Sequence, residues 1–243
     1  MIAAKKFGNK EALCFENYTF SFNEINELVE KLATGLSYLG IKEKEVVTLY
    51  ASNSWEWIIS YFGIARIGAV INPVNTMLTP SEIKYVVKDC FAKAIITSSD
   101  KASEIMDLKK DGIVNSIISF DNPPKGSIDF SELINSKSNP VKMPKILSKS
   151  LSTIGYTSGT TGHPKGAMQS HRAVILNGAM TSQMHIRNEH DIVVSALPCP
   201  HVYANVIMTG MMMFGTKIVL HKTFDPLKIF KDIEKHEATI FDG

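Results

Sequence analysis

Short apolar runs of strand type alternate along this chain with amphipathic segments of helical period, and most switches between them carry turn or cap residues. Leu13-Cys14-Phe15 and Tyr18-Thr19-Phe20 flank Glu16-Asn17, which predicts a hairpin. Ser21 with Glu24 forms a capping box that opens a helix carrying Ile25, Leu28, Val29, Leu32, Leu36 and Leu39 on one face and stopping at Gly40. Val46 to Tyr50 reads as a strand, and Asn53 or Ser54 as the cap of a helix through Trp55, Ile58, Ile59 and Phe62. Ala69 to Ile71 is the next strand, with Asn72-Pro73 as its stop. Thr79-Pro80-Ser81-Glu82 repeats the cap, with proline at the first helical position. Further strands are expected near Ala94 to Thr97 and Ser116 to Phe120. Strands joined by helical crossovers run parallel, and the helices cover both sheet faces. The pattern therefore confines the chain to an α/β fold of largely parallel sheets flanked by helices, in α/β/α layers.

Composition divides the chain into a first α/β region at 1–120, a surface connection at 121–150 and a second α/β region at 151–243. The connection is rich in Pro, Ser, Asn and Lys, with at most one short helix around Leu133, and is expected to be mobile. In the last region the pattern predicts a strand at Ser152 to Tyr156, a helix at His171 to Met184 after a short extended piece, and a strand at Asp191 to Ala196. A helix from Val206 to Phe214, a strand from Lys217 to Leu220, a helix capped by Asp225-Pro226 and running to His236, and a strand from Ala238 to Phe241 follow. Trp55 and Trp57 lie two apart on one helix and cannot share a face, so at least one is expected in the core.

Between the strand ending at Tyr156 and that helix lies the run Tyr156-Thr157-Ser158-Gly159-Thr160-Thr161-Gly162-His163-Pro164-Lys165-Gly166. Glycines let backbone N–H groups approach an anion, while the hydroxyls and Lys165 add side-chain donors and a positive charge. A loop of this composition just past a strand's carboxyl end suits a polyphosphate. It is not a Walker loop, because Pro164 and not glycine precedes Lys165. Gly155-Tyr156-Thr157-Ser158-Gly159 approaches a nucleophile elbow, but threonine stands where the serine must be. No G-x-G-x-x-G spacing occurs.

The 26 basic and 24 acidic residues are interspersed and leave a net charge of +2, so there is no footprint for nucleic acid. Three distant cysteines suggest neither a disulfide framework nor a zinc site, which points to a reducing, cytoplasmic setting. No apolar stretch has the length of a signal segment or a spanning helix, so no integral membrane segment is expected. The Met211-Met212-Met213 run reads as core filling.

Tyr156 to Gly166, continuing into Ala167-Met168-Gln169-Ser170-His171, resembles the signature loop of the adenylate-forming (AMP-binding) enzymes. These are the acyl- and aryl-CoA synthetases, luciferases and peptide-synthetase adenylation domains. Asn53-Ser54 through Tyr61-Phe62-Gly63, Gly68 to Asn75, Leu197-Pro198-Cys199-Pro200-His201-Val202-Tyr203 and Ala238 to Phe241 agree in order. The resemblance covers roughly residues 8 to 243 and is nearest to the bacterial long-chain fatty-acid–CoA ligases.

It implies ATP-dependent activation of a carboxylic acid, a fatty acid as the first choice, to an acyl-adenylate and then to an acyl-CoA, with ATP, Mg2+ and coenzyme A. Lys165 and Thr157 would be the catalytic groups; Thr157, Ser158, Gly159, Thr160, Thr161, Gly162, Lys165 and Gly166 would hold the ATP phosphates. Thr157 would touch the magnesium, and His201, Val202 and Tyr203 would border the acid. Pro200 and Ala204 depart from the family pattern beside the acyl pocket, which leaves the acid's shape open. His163 is expected to be an exposed bystander, His171 structural, Cys199 no nucleophile, and the other histidines surface or core groups without ligand spacing.

The family's adenine, ribose and lid segments have no counterpart in these residues, so the chain reads as the N-terminal portion of the large domain and is expected to be inactive alone. Peripheral membrane contact and a homodimer are both compatible with the resemblance. A non-catalytic nucleotide-binding or scaffolding remnant is the alternative from another class, and an unrelated phosphate-binding hydrolase is a third.

Overall fold

The cap residues act where the pattern places them in the computed structural model, which describes residues 2–136, 139–157 and 164–243. The first elements are α1 (Ile2–Phe7), β1 (Glu11–Phe15), β2 (Tyr18–Ser21), α2 (Phe22–Tyr38), β3 (Val46–Tyr50), α3 (Trp55–Arg66) and β4 (Val70–Pro73). Next come α4 (Pro80–Asp89), β5 (Ala92–Ser98), α5 (Ser99–Lys110), β6 (Ser116–Phe120), β7 (Ile128–Asp129) and α6 (Phe130–Asn135). The last are β8 (Leu151–Thr157), β9 (Lys165–Ser170), α7 (His171–Met184), β10 (Ile192–Ser195), α8 (Val202–Phe214), β11 (Lys217–Leu220), α9 (Pro226–His236) and β12 (Ile240–Asp242).

At the start of α2 a Glu24 carboxylate oxygen accepts from the Ser21 N–H at 2.7 Å, and Ser21 Oγ accepts from the Glu24 N–H at 3.2 Å. Thr79 and Glu82 build the same box on α4. Phe15 pairs with Tyr18 across a two-residue turn that puts Glu16 at φ 52°.

Among the described residues the strands form two sheets. One runs β12-β10-β11-β1-β2 and is parallel except for the β1–β2 hairpin. The other runs β7-β6-β5-β3-β4-β8-β9 and is parallel except for β8–β9. The expected α/β class of largely parallel sheets flanked by helices is what forms. Contacts divide the chain into two compact units, Met1–Leu28 with Ser52–Ile58 and Arg172–Gly243, and Val29–Ala51 with Ile59–His171. The first unit holds the five-stranded sheet and the second the seven-stranded one. The units interleave along the chain and do not follow divisions at 120 and 150.

In the second unit β3 and β6 are buried along their whole length, as parallel strands covered on both faces should be. Val86 and Val87 of α4 and Ile105 and Leu108 of α5 join Ile95 and Ile117 in its core. In the first unit Cys14, Val194 and Val219 of neighbouring strands pack with Ile229 of α9. Trp57 is fully buried there, whereas Trp55 packs at the edge against Tyr18 and Phe20.

Three local expectations give way. Asn72-Pro73 does not stop β4 but lies within it, paired with Thr48 and Leu49. The buried Asn72 side chain accepts from Thr48 Oγ1 at 2.9 Å and donates to the Ile154 carbonyl at 2.8 Å, so its amide reaches both neighbouring strands. That satisfies a polar residue inside the sheet. Secondly, the 121–150 stretch is not merely a surface connection. β7 adds to the sheet edge, and α6 buries Phe130, Leu133 and Ile134. Thirdly, α8 begins at Val202, four residues before the expected Val206.

All three cysteines are free and buried, and burial pushes the Cys90 thiol up to about 11 and Cys199 higher still. A thiol reagent at pH 8 is expected to find no rapidly reacting cysteine in the native protein and three after denaturation. A fast native reaction would place one of them at the surface.

Packing between α7 and α8 depends on a missing side chain. A Cβ on Gly178 would lie 2.6 Å from Thr209 Cγ2, a branched side chain with little room to give. Gly178→Ala is expected to lower stability by about 1–3 kcal/mol through overpacking, read from the urea midpoint; an unchanged midpoint would show that the helices part freely.

Candidate functional site

The hydroxyl- and glycine-rich run begins where β8 ends. Ser158, Gly159, Thr160, Thr161, Gly162 and His163 lie outside the described residues, so the structure speaks through the two ends of the run. Those ends meet: Thr157 and Lys165 are the last cross-strand partners of the β8–β9 pair before the run, and both side chains are exposed. β8 runs parallel to β4, so the run leaves from a carboxyl edge of the sheet, where α/β proteins receive ligands.

The hairpin is held firmly below that edge. Thr153 Oγ1 donates to Gln169 Oε1 at 2.8 Å, and Tyr156 Oη donates to Asp89 Oδ2 at 2.5 Å. Burial first, and then the bond to Asp89, raise the Tyr156 hydroxyl pKa, so it stays protonated and keeps donating. Gly166 pairs with Tyr156, and a Cβ there would come within 2.8 Å of Ile154 Cγ2 and 3.2 Å of the Tyr156 ring. Its packing alone requires glycine.

His201, Val202 and Tyr203 lie at the start of α8, in the other unit. His201 is the N-cap, and its Nδ1 accepts from the Tyr203 N–H at 3.3 Å, while Val202 is more than half exposed. Tyr203 Oη donates to Asp242 Oδ1 at 3.4 Å, and its hydroxyl is shifted upward by burial and then by that carboxylate. Asp242 is itself buried and paired with buried Arg187, Nη2 to Oδ2 at 2.6 Å.

Asn53 organises the segment leading to His201. Its Oδ1 accepts from the Cys199 N–H at 2.7 Å, and its Nδ2 donates to the carbonyls of Leu197 and His221 at 2.9 and 3.0 Å. The cap of α3 is instead Ser54, whose Oγ accepts from the Trp57 N–H at 3.1 Å. Below this clamp Ile58, Ser195, Leu197, Cys199, Ala204 and Met208 help to line an apolar cavity of about 10 Å3, room for one water at most.

Other histidines sort differently. His171 opens α7, with Nε2 buried without a hydrogen bond among the described residues, and burial lowers its pKa. His221 and His236 both approach Asp232, at 3.1 and 3.9 Å, a cluster that spacing along the chain did not reveal. Among the described residues no three His, Cys, Asp or Glu side chains are grouped to hold a metal, and no helix is long and apolar enough to cross a membrane.

The scaffold is a largely parallel α/β fold in which a hydroxyl- and glycine-rich run leaves a carboxyl strand edge between paired Thr157 and Lys165. The chain belongs to the AMP-binding enzyme family, whose pattern matches residues 2–243. It is 30% identical over 231 residues to 4-coumarate:CoA ligase 1 of Petunia hybrida, which covers 92% of this chain and 42% of that protein. It is equally 30% identical over 234 residues to indoleacetate–CoA ligase of Aromatoleum aromaticum, covering 95% of this chain and 46% of that one. The structure of a long-chain-fatty-acid–CoA ligase from Archaeoglobus fulgidus matches with a TM-score of 0.90 at 25% identity, over 99% of this chain and 49% of that one. The chain thus spans less than half the length of these relatives.

Proposed function

We propose that this chain belongs to an acid–thiol ligase that uses ATP to convert a carboxylic acid to its acyl-adenylate and then to its coenzyme A thioester. The observation that carries the reading is Thr157 facing Lys165 across the mouth of the run at the carboxyl edge of β8. In the first step a carboxylate oxygen attacks the α-phosphorus and the bond to pyrophosphate breaks. In the second, the thiol takes the acyl group and AMP leaves. In-line displacement of this kind asks mainly for charge stabilisation on the leaving group. Lys165 with Thr157 and the hydroxyls and N–H groups of 158–162 supply it on the pyrophosphate side. Thr157 would offer one hydroxyl to a magnesium ion accompanying the nucleotide, and that ion would help to neutralise the phosphate charge.

His201, Val202 and Tyr203 border the acid in this reading. Fatty acids are the first choice of acid, with aryl acids and small dicarboxylates as the rival classes. Support comes from relatives named for coumarate, indoleacetate and long-chain fatty acids.

ATP–pyrophosphate exchange by the complete gene product, run against a panel of fatty, aryl and short dicarboxylic acids, tests the reading and ranks the acids. Nucleotide binding without exchange for any acid would overturn it in favour of a non-catalytic nucleotide-binding protein. Lys165→Met is expected to raise the ATP concentration for half-maximal exchange about tenfold, since a donor to a charged phosphate oxygen is worth about 1.5 kcal/mol or more. An unaltered ATP dependence would remove Lys165 from the phosphate site.

A further inference from the structure

A polar cavity of about 320 Å3 opens in the first unit at the carboxyl ends of β1 and β11. Because these strands are parallel neighbours, the Glu16-Asn17 turn after β1 and the His221-Lys222-Thr223 segment after β11 emerge on the same edge. α9 supplies the remaining wall. Lys228, Lys231, Asp232 and Lys235 recur on it at intervals of three, four and seven residues, so one helix face looks into the cavity.

The charge in this wall is unbalanced. Four lysines, at 222, 228, 231 and 235, face two carboxylates, Glu16 and Asp232. Lys228 is 4.0 Å from Asp225, while Lys222, Lys231 and Lys235 have no carboxylate within that distance among the described residues. Asp232 lies near two imidazoles, His221 Nε2 at 3.1 Å and His236 Nε2 at 3.9 Å. His221 is nine-tenths buried, and its Nε2, although near Asp232, is not aligned for a hydrogen bond. Its backbone is fixed, the N–H donating to the Ser195 carbonyl at 2.8 Å and the carbonyl accepting from Asn53. Lysines on an ordinary solvated helix face diverge into water. Here three of them share a concave wall with a buried, poorly partnered imidazole, and a cavity of this volume lies in the range of small-molecule sites.

We propose that this cavity is an anion site for a small phosphorylated molecule, a phosphate monoester or a diphosphate, separate from the 156–166 run and independent of the acid–ligase reading. Ammonium groups on flexible stems suit a tetrahedral oxyanion as convergent point charges, and His221 adds a donor that fixes its position.

The test is calorimetric titration of the protein with inorganic pyrophosphate in a Lys165→Met background, which weakens the other phosphate grip. Binding is expected to persist there and to fall at least tenfold on adding Lys231→Gln and Lys235→Gln, exposed positions whose loss leaves the melting temperature unchanged. Lys231→Arg is expected to retain it, and the His221 and His236 imidazole resonances are expected to shift on titration. Absence of binding in the Lys165→Met background, or binding indifferent to Lys231→Gln and Lys235→Gln, overturns the proposal. So does capture by phosphatidylglycerol vesicles with no response to pyrophosphate.

Discussion

Asn53→Ala is expected to destabilise the protein by about 3 kcal/mol, although it removes only a small side chain from a turn. The reason is what the substitution leaves behind. Asn53 is almost fully buried and satisfies three backbone groups at once: the Cys199 N–H and the carbonyls of Leu197 and His221. Each buried backbone group left without a partner costs about 1–3 kcal/mol, and entry of water into the space recovers part of that. Asn53→Asp separates the contributions. It keeps an acceptor for the Cys199 N–H but sets a carboxylate against two carbonyl oxygens, so it is expected to be no better than alanine. Denaturant midpoints at constant slope measure both. A loss below 1 kcal/mol for alanine would show that the segments after β10 and β11 hold themselves without the amide. Because the first of these leads directly into His201, exchange activity of the complete gene product is expected to fall more than ATP binding does.

Asn53 also marks where sequence reading stops. Local signals sufficed for the elements: the Ser21–Glu24 and Thr79–Glu82 boxes, the Glu16-Asn17 turn and Asp225-Pro226 all act within a few residues of themselves. Sheet order is not local. Leu13 pairs with Ile218, and nothing in either run names the other. The partners of Asn53 lie 144 to 168 residues away, so its amide read only as one of two candidate caps, and the adjacent Ser54 took that role. Histidine is not among the strong N-cap types, which is why α8 was expected to start later and His201 was read without its capping bond to Tyr203. The 156–166 run was legible because its chemistry is contiguous. The lysine–histidine cavity was not, since its wall joins α9 to two strand ends more than 200 residues apart.

The largest effect is expected at the Arg187–Asp242 pair. Both side chains are almost wholly withdrawn from water, with Nη2 2.6 Å from Oδ2, and Arg187 Nε has no hydrogen-bond partner among the described residues. Removing one partner strands the other charge in the interior, so Arg187→Met and Asp242→Leu should each cost about 3–5 kcal/mol. Removing both should not cost the sum, because the desolvation penalty of both charges disappears with them; the double variant is expected within about 1 kcal/mol of the parent or above it. A double variant as unstable as the two losses added would mean that the side chains matter for their shape and not their charge.

The pair also governs Tyr203, whose hydroxyl donates to the second Asp242 oxygen at 3.4 Å, while Ser195 Oγ donates to the Asp242 carbonyl at 2.8 Å. In the double variant Ser195 keeps its bond to the backbone, and Tyr203 loses both the carboxylate that makes it harder to ionise and the guanidinium that makes it easier, whereas Asp242→Leu alone removes only the carboxylate and leaves Tyr203 easier to ionise. Ultraviolet titration of tyrosine should therefore show one group moving to lower pH in folded Asp242→Leu and moving back in the double variant, where stability is nearly restored. An unmoved tyrosine in folded Asp242→Leu would separate the ion pair from Tyr203, leaving it a fold contact that does not position the start of α8.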